Sequence, residues 1–172
     1  MDSGSAESPA TASNPRPALT VAVVMERETA PNRFEDWRFR VAEVVPHEDA
    51  FGSEPRVLRD DGKLRRTLFP GFTLELFRDQ AEGYFLNLRT GAPVWFVVWR
   101  SDDDDPSRAW PETVSVSYEE AGRWLDAQEH VDNVPLADEL AAWLQAYVDE
   151  HYRPEPKKRR RPQSFVAPGE RR

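Results

Sequence analysis

Apolar and polar residues alternate through the first two thirds of the chain, and a period near 3.6 takes over in the last third. Leu19, Val21, Val23 and Met25 share one side of a predicted strand. Trp37, Phe39, Val41 and Val45 share one side of a second, with Arg38 and Arg40 opposite. Arg56-Val57-Leu58 and Leu64 to Phe69 pair across a tight turn at Asp61-Gly62. Pro70-Gly71 breaks that run, and Phe72, Leu74 and Leu76, alternating with Thr73, Glu75 and Phe77, predict a further strand. Gly83 to Leu88, a turn at Thr90-Gly91, and Pro93 to Arg100 read as a hairpin. The stretch VWFVVW, Val94 to Trp99, is apolar at every position, which predicts a strand covered on both faces. Thr113 to Ser117 is the last predicted strand.

Two helices are expected to follow. Ser117-Tyr118-Glu119-Glu120 fits a capping box, in which the Ser oxygen takes an N–H three residues on and Glu120 reaches back. Ala121, Trp124 and Leu125 then form an apolar stripe. The second helix is predicted from about Leu136 to Tyr152, with Asp132 or Asn133 as its cap. Leu136, Leu140, Trp143, Leu144, Tyr147, Val148 and His151 fall three and four apart along it.

The pattern predicts an α+β fold: a mainly antiparallel β-barrel or curved sheet of about six to eight strands, covered by two C-terminal helices. Residues 1–17 are rich in Ser, Ala and Pro and read as a disordered arm; residues 18–152 form one globular domain; residues 153–172 are a basic, proline-rich tail expected to be disordered. Strands never alternate with long helices, so a dinucleotide-binding or P-loop fold is not expected.

Charge changes this picture by its distribution. The net charge of the chain is −8. Residues 153–172 carry 8 Lys/Arg and 2 Asp/Glu, while the other 152 carry 15 Lys/Arg and 29 Asp/Glu, so a +6 tail hangs on a −14 body. Such a body repels a phosphate backbone at long range. The absence of cysteine removes disulfides, thiolate metal sites and thiol catalysis. The N-terminal stretch has neither a basic n-region nor an apolar h-region. The longest apolar run is far shorter than the ~20 residues that span a bilayer. A cytoplasmic protein without membrane insertion is the expectation.

Candidate chemistry is sparse. His47, His130 and His151 are far apart and read as surface or core-edge residues. Asp102 to Asp105 lacks the spaced ligands of a calcium loop and reads as a loop tip. Glu75, Arg78, Asp79 and Glu82 crowd one short stretch, LELFRDQAEGYFLNL. Paired carboxylates there suit acid–base work only inside a pocket that separates their pKa values; a salt-bridged turn is the plainer expectation. No nucleophile elbow, phosphate loop or metal-ligand cluster is present, so neither catalytic nor metal residues are assigned. Lys157, Lys158, Arg159, Arg160 and Arg161 stand between prolines with only Phe165 nearby, short of the aromatic interleaving that single-strand binders use.

Several blocks carry a family resemblance. They are VAVVMER (21–27), FPGFTLELFRDQAEGYFLNL (69–88), WFVVWR (95–100), VSVSYEEAGRWLDAQEHVDNVPL (114–136) and HYRPEPKKRRRPQSF (151–165). Together they resemble an uncharacterised bacterial family, domain of unknown function 3305. The resemblance implies genes lying beside those of molybdenum-dependent formate dehydrogenases, often with a second small uncharacterised protein. Some members carry labels concerning molybdopterin-guanine dinucleotide synthesis, but a nucleotidyltransferase of that kind needs a glycine-rich loop on an α/β fold, and neither is present here. The first expectation is a non-enzymatic accessory protein in the maturation, assembly or regulation of such a formate dehydrogenase. It would touch an enzyme subunit or the neighbouring accessory protein through Arg78, Asp79, Glu82 and the basic run, with no cofactor of its own. The second is a molybdopterin-nucleotide carrier or small enzyme using the carboxylate turn. The third is a nucleic-acid-binding regulator gripping phosphates with the tail.

Overall fold

The computed structural model describes residues 16–29 and 37–154. The basic run Lys157 to Arg161, most of the predicted tail and nearly all of the predicted N-terminal arm lie outside the described residues. Among the described residues seven strands form two antiparallel sheets. The first sheet holds β1 (Ala18–Thr29), β2 (Trp37–Pro46), β3 (Arg56–Asp60) and β4 (Leu64–Glu75), in the order β2-β1-β4-β3. A 3₁₀ turn, Arg78–Gln80, leads into α1 (Ala81–Arg89). The second sheet holds β5 (Val94–Ser101), β6 (Ala109–Ser115) and β7 (His130–Pro135), in the order β6-β5-β7, with α2 (Tyr118–Asp126) between β6 and β7. The last element is α3 (Asp138–His151).

Both sheets share one core. Val21, Val23, Met25 and Leu74 from the first meet Trp95, Val97, Val114 and Val134 from the second, and Tyr84, Leu144, Tyr147 and Val148 close one end. Burying a side chain such as Leu144, 1% exposed, contributes about 1.5–3 kcal/mol. Strand β2 lies beside β7, and β4 beside β6. Among the described residues no ladder joins the sheets, so the expected barrel is not closed. Where a β2–β7 ladder would run, the Val41 N–H donates instead to the Asp132 carboxylate at 2.8 Å. Asp132 therefore ties two sheets together rather than capping a helix.

Most sequence expectations survive with corrections. VWFVVW is β5: Trp95 and Val97 enter the shared core, while Phe96 and Val98 are buried on the other face, which α2 approaches. The hairpin at Asp61-Gly62 forms, with Asp61 Oδ1 accepting the N–H groups of Lys63 and Leu64. Pro70-Gly71 does not end a strand. Val21 pairs with Phe72 and Val23 with Phe69, so Pro70 and Gly71 together oppose Ala22 in a bulge within one continuous β4. A proline without an N–H and a glycine at φ 91° suit that position.

Larger corrections concern three segments. Gly83 to Leu88 is not a strand but most of α1, so the described residues hold three α-helices rather than two. His130 to Pro135, where no strand is expected and Asp132 or Asn133 is read as a helix cap, is β7. Helix α3 starts at Asp138, and its N-cap is Ala137. The stripe on α2 is also narrower than expected, because Leu125 is 59% exposed.

Candidate contact surface

The segment RDQAEGYFLNL divides into residues that the fold consumes and residues that it leaves outside. Ala81, Gly83, Tyr84 and Asn87 are buried. Asn87 Nδ2 donates to the carbonyls of Val94 and Val116, both at 2.9 Å, and its Oδ1 accepts the Val94 N–H at 3.0 Å. One side chain thus braces α1 against β5 and against the connection from β6 to α2. The Tyr84 hydroxyl accepts the Phe77 N–H at 3.1 Å and fixes the entry to the 3₁₀ turn. Gly83 lets the helix approach Ser117, since a Cβ there would sit 2.1 Å from Ser117 Oγ.

Ser117 is the N-cap of α2 and is fully buried. Its Oγ accepts the Glu120 N–H at 3.3 Å and donates to Gln80 Oε1 at 2.9 Å. Half of the predicted capping box is therefore direct and half is relayed. Glu120 accepts from Ser115 Oγ, which itself accepts the Ser117 N–H, instead of reaching Ser117 itself.

Arg78, Asp79 and Glu82 remain, all exposed. The expected salt-bridged turn does not form among the described residues: Glu75 pairs with Arg16 at 3.6 Å, while Arg78, Asp79 and Glu82 have no ion pair there. Glu82 instead lies against Glu119 of α2. Burial first, then the Glu82 charge and a hydrogen bond with it, push the Glu119 carboxyl above its usual range.

Arg78 and Asp79 sit where two clefts meet. One, of about 620 Å³, is lined by Arg16, Phe77, Arg78, Asp79, Tyr147 and His151 among others. The second, of about 780 Å³, runs past Arg78, Asp79, Glu82, His151, Arg153 and Pro154. The Arg16 guanidinium lies 4.8 Å over the Phe77 ring, and the Leu76 N–H donates to the Pro17 carbonyl. At the other end Tyr152 stacks on Phe85 at 4.7 Å, and Arg153 donates to the Asp149 and Tyr152 carbonyls at the α3 C-terminus. Arg16 thus lines one cleft and Pro154 the other, with Arg78, Asp79 and His151 common to both.

Aromatic packing sets its floor. Tyr84 meets Tyr147 edge to face at 5.9 Å, and His151 lies 4.4 Å from Tyr147. Burial pushes the Tyr84 hydroxyl up to about 12, partly offset by its bond from Phe77. Tyr147 is also raised, by burial first; the Arg78 charge works against that rise and the Asp79 charge with it.

Sequence reasoning named Arg78, Asp79 and Glu82 but missed Arg16, Tyr147 and His151 as their neighbours. The only signal was the α3 spacing, which placed Tyr147 and His151 on an inward stripe. The five basic residues cannot be placed, since they lie outside the described residues. Among the described residues no three His, Asp or Glu side chains gather in a way that could hold a metal ion, and no helix is long and apolar enough to cross a membrane. Asp102 to Asp105 form the exposed β5–β6 loop, where Asp102 and Asp105 accept from backbone N–H groups of the same loop.

Residues 20–161 match the family model described as a protein of unknown function, DUF3305, and the chain belongs to that family. No curated protein and no solved structure matches it.

Proposed function

We propose that this chain works by protein contact, as a non-enzymatic cytoplasmic accessory in the maturation, assembly or regulation of a molybdenum-dependent formate dehydrogenase. The observation that supports a contact role is convergence. Arg78, Asp79 and Glu82, which the fold does not consume, line the same groove as Arg153 and Pro154, from which the chain leaves toward the basic run. Lys157 is three residues beyond Pro154, so at a maximal extension of ~3.3–3.6 Å per residue it starts within about 11 Å of that groove. Turn and run would then be able to engage one partner surface. The partner surface would match a mixed-charge turn beside a strongly cationic run, hence one with a carboxylate-rich segment. The enzyme assignment comes from the family resemblance, and the partner is either an enzyme subunit or the neighbouring accessory protein.

A deletion strain tests this reading. It should lose formate dehydrogenase activity, and a chain ending at Pro154 should restore little of it. A deletion strain with full activity and normal cofactor loading would remove the proposal.

A further inference from the structure

A separate cleft, sharing no lining residue with the groove, carries its own chemistry. It lies between β6 and the first sheet, has a volume of about 520 Å³, and is lined by Met25, Arg27, Phe39, Arg65, Arg108 and Trp110 among others. That size falls within the ~300–1,000 Å³ common for small-molecule sites.

Its charge arrangement sets like charges opposite each other. Arg27 on β1 stands directly opposite Arg65 on β4. Like charges in that relation destabilise a ladder. One residue away, on the other face, the same strands show the compensated version. Glu26 opposes Arg66 and Arg40, and its Oε1 accepts from Arg40 at 2.9 Å and from Arg66 at 3.2 Å. Between Arg27 and Arg65 no described carboxylate stands in that place. The Nε atoms of both arginines are buried without a hydrogen-bond partner among the described residues, and an unmet buried donor is costly. The other contacts are partial. Arg27 donates through Nη1 to the Ser107 carbonyl and lies 4.3 Å over the Trp37 ring, while Arg65 has only a 3.9 Å approach to Asp60.

Three further charges face this region, the first being Glu26, which also lines the cleft with its carboxylate held by Arg40 and Arg66. Arg108 adds a third cation to the lining. The Asp105 carboxyl is held low by its Ser107 hydrogen bonds and, to a lesser degree, by Arg108 and Arg27, so it offsets part of the positive field. The apolar side of the cleft is Met25, Phe39, Phe69, Trp110 and Pro111.

We propose that this cleft binds a small organic anion, a carboxylate or phosphate head carried on a flat apolar ring. The head would sit between Arg27 and Arg65 and pair with their guanidinium groups, with Arg108 at the rim. The ring would lie against Phe39 and Trp110. An anion there does for Arg27 and Arg65 what Glu26 does for Arg40 and Arg66.

Calorimetric titration of the full chain at low salt tests it, using phenyl phosphate, benzoate and inorganic phosphate as probes. At least one aryl anion should bind, and more tightly than inorganic phosphate by about tenfold, because only it fills the apolar side. Whichever aryl anion binds more tightly identifies the head group. Arg65→Met should weaken that binding about tenfold or more, as loss of a charge-assisted contact does, and should leave the melting temperature of the unliganded protein unchanged or raised. The second variant, Arg27→Met, should weaken binding likewise, while Arg89→Met, an exposed change on α1, should not. Absence of binding by both aryl anions in the millimolar range, inorganic phosphate binding as tightly as they do, or unchanged affinity in Arg65→Met would each overturn the proposal.

Discussion

Replacing Gly83 by alanine should be among the most damaging small changes in this protein, although alanine is the better helix former. A Cβ at residue 83 would meet Ser117 Oγ at 2.1 Å, Ser117 Cβ at 3.1 Å and the Glu119 backbone nitrogen at 3.4 Å. Ser117 Oγ must therefore move, but it is fully buried and holds two hydrogen bonds, from the Glu120 N–H and to Gln80. Losing both costs about 2 kcal/mol at ~1 kcal/mol each, and crowding in a packed site adds about 1–3 kcal/mol. The glycine-to-alanine gain in a helix returns about 1 kcal/mol. The net expectation is a loss of about 2–4 kcal/mol, read from urea denaturation at unchanged m-value. Ser117→Gly alone should cost about 1.5 kcal/mol, a few tenths for the cap and the rest for the bond to Gln80. In the double variant the clash with Oγ and Cβ is gone, so Gly83→Ala should become nearly neutral. The resulting coupling is about 2–4 kcal/mol, well beyond the ~0.5 kcal/mol scatter of independent sites. Gly83→Ala within about 0.5 kcal/mol of wild type, or an additive cycle, would refute the close approach of α1 to Ser117.

Asn87→Ala should lower stability by about 3 kcal/mol in the same assay, since three hydrogen bonds of a side chain 1% exposed are lost at ~1 kcal/mol each. Trp143→Ala should cost about 2–3 kcal/mol, less than the 3–5 typical of a fully buried tryptophan, because Trp143 is only partly buried. Tyr84 predicts an alkaline limb. Its folded pKa, about 12, stands above the ordinary 10, so the folded state holds the proton more tightly and stability falls as pH rises between those values. Roughly 2–3 kcal/mol should be lost across that window, at ~1.36 kcal/mol per pKa unit. Tyr84→Phe should flatten this limb, and a tyrosinate absorbance titration of the wild type should show one group ionising well above the rest.

Strand patterning was legible where one face meets the core, as in β1, β2 and β5. It misled where a long-range contact decides. In GYFLNL, Tyr84, Leu86 and Leu88 alternate as a strand would, but Gly83 fits against Ser117 and Asn87 braces Val94 and Val116. Both partners are distant in sequence, so no local period reports them. Strand β7 was missed because Asp132 and Asn133 look like capping residues; its pairing with β5 and the bond from Val41 to Asp132 make it a strand. Pro70-Gly71 looked like a terminator because the bulge needs Ala22 opposite to be recognised. At the candidate surface the cluster Arg78, Asp79 and Glu82 could be read directly. Its proximity to His151 and to the departing chain at Pro154 could not, because packing of α1 against α3 creates it. The cleft around Arg27 and Arg65 was equally hidden, since only the β1–β4 register sets those two residues opposite each other.

The central claim is that the turn and the basic run form one contact surface. Its most direct test is the affinity of the purified chain for the two proposed partners, the catalytic subunit of a molybdenum-dependent formate dehydrogenase and the accessory protein that the family resemblance implies. Four forms are needed: wild type, Arg78→Glu with Asp79→Lys, a chain ending at Pro154, and both changes together. Wild type should bind one of the two partners. Each single change should weaken that binding about tenfold or more, and the combined form should be little worse than either alone, as expected for groups that engage one surface together. No binding by wild type to either partner, or binding that neither change disturbs, would contradict the account.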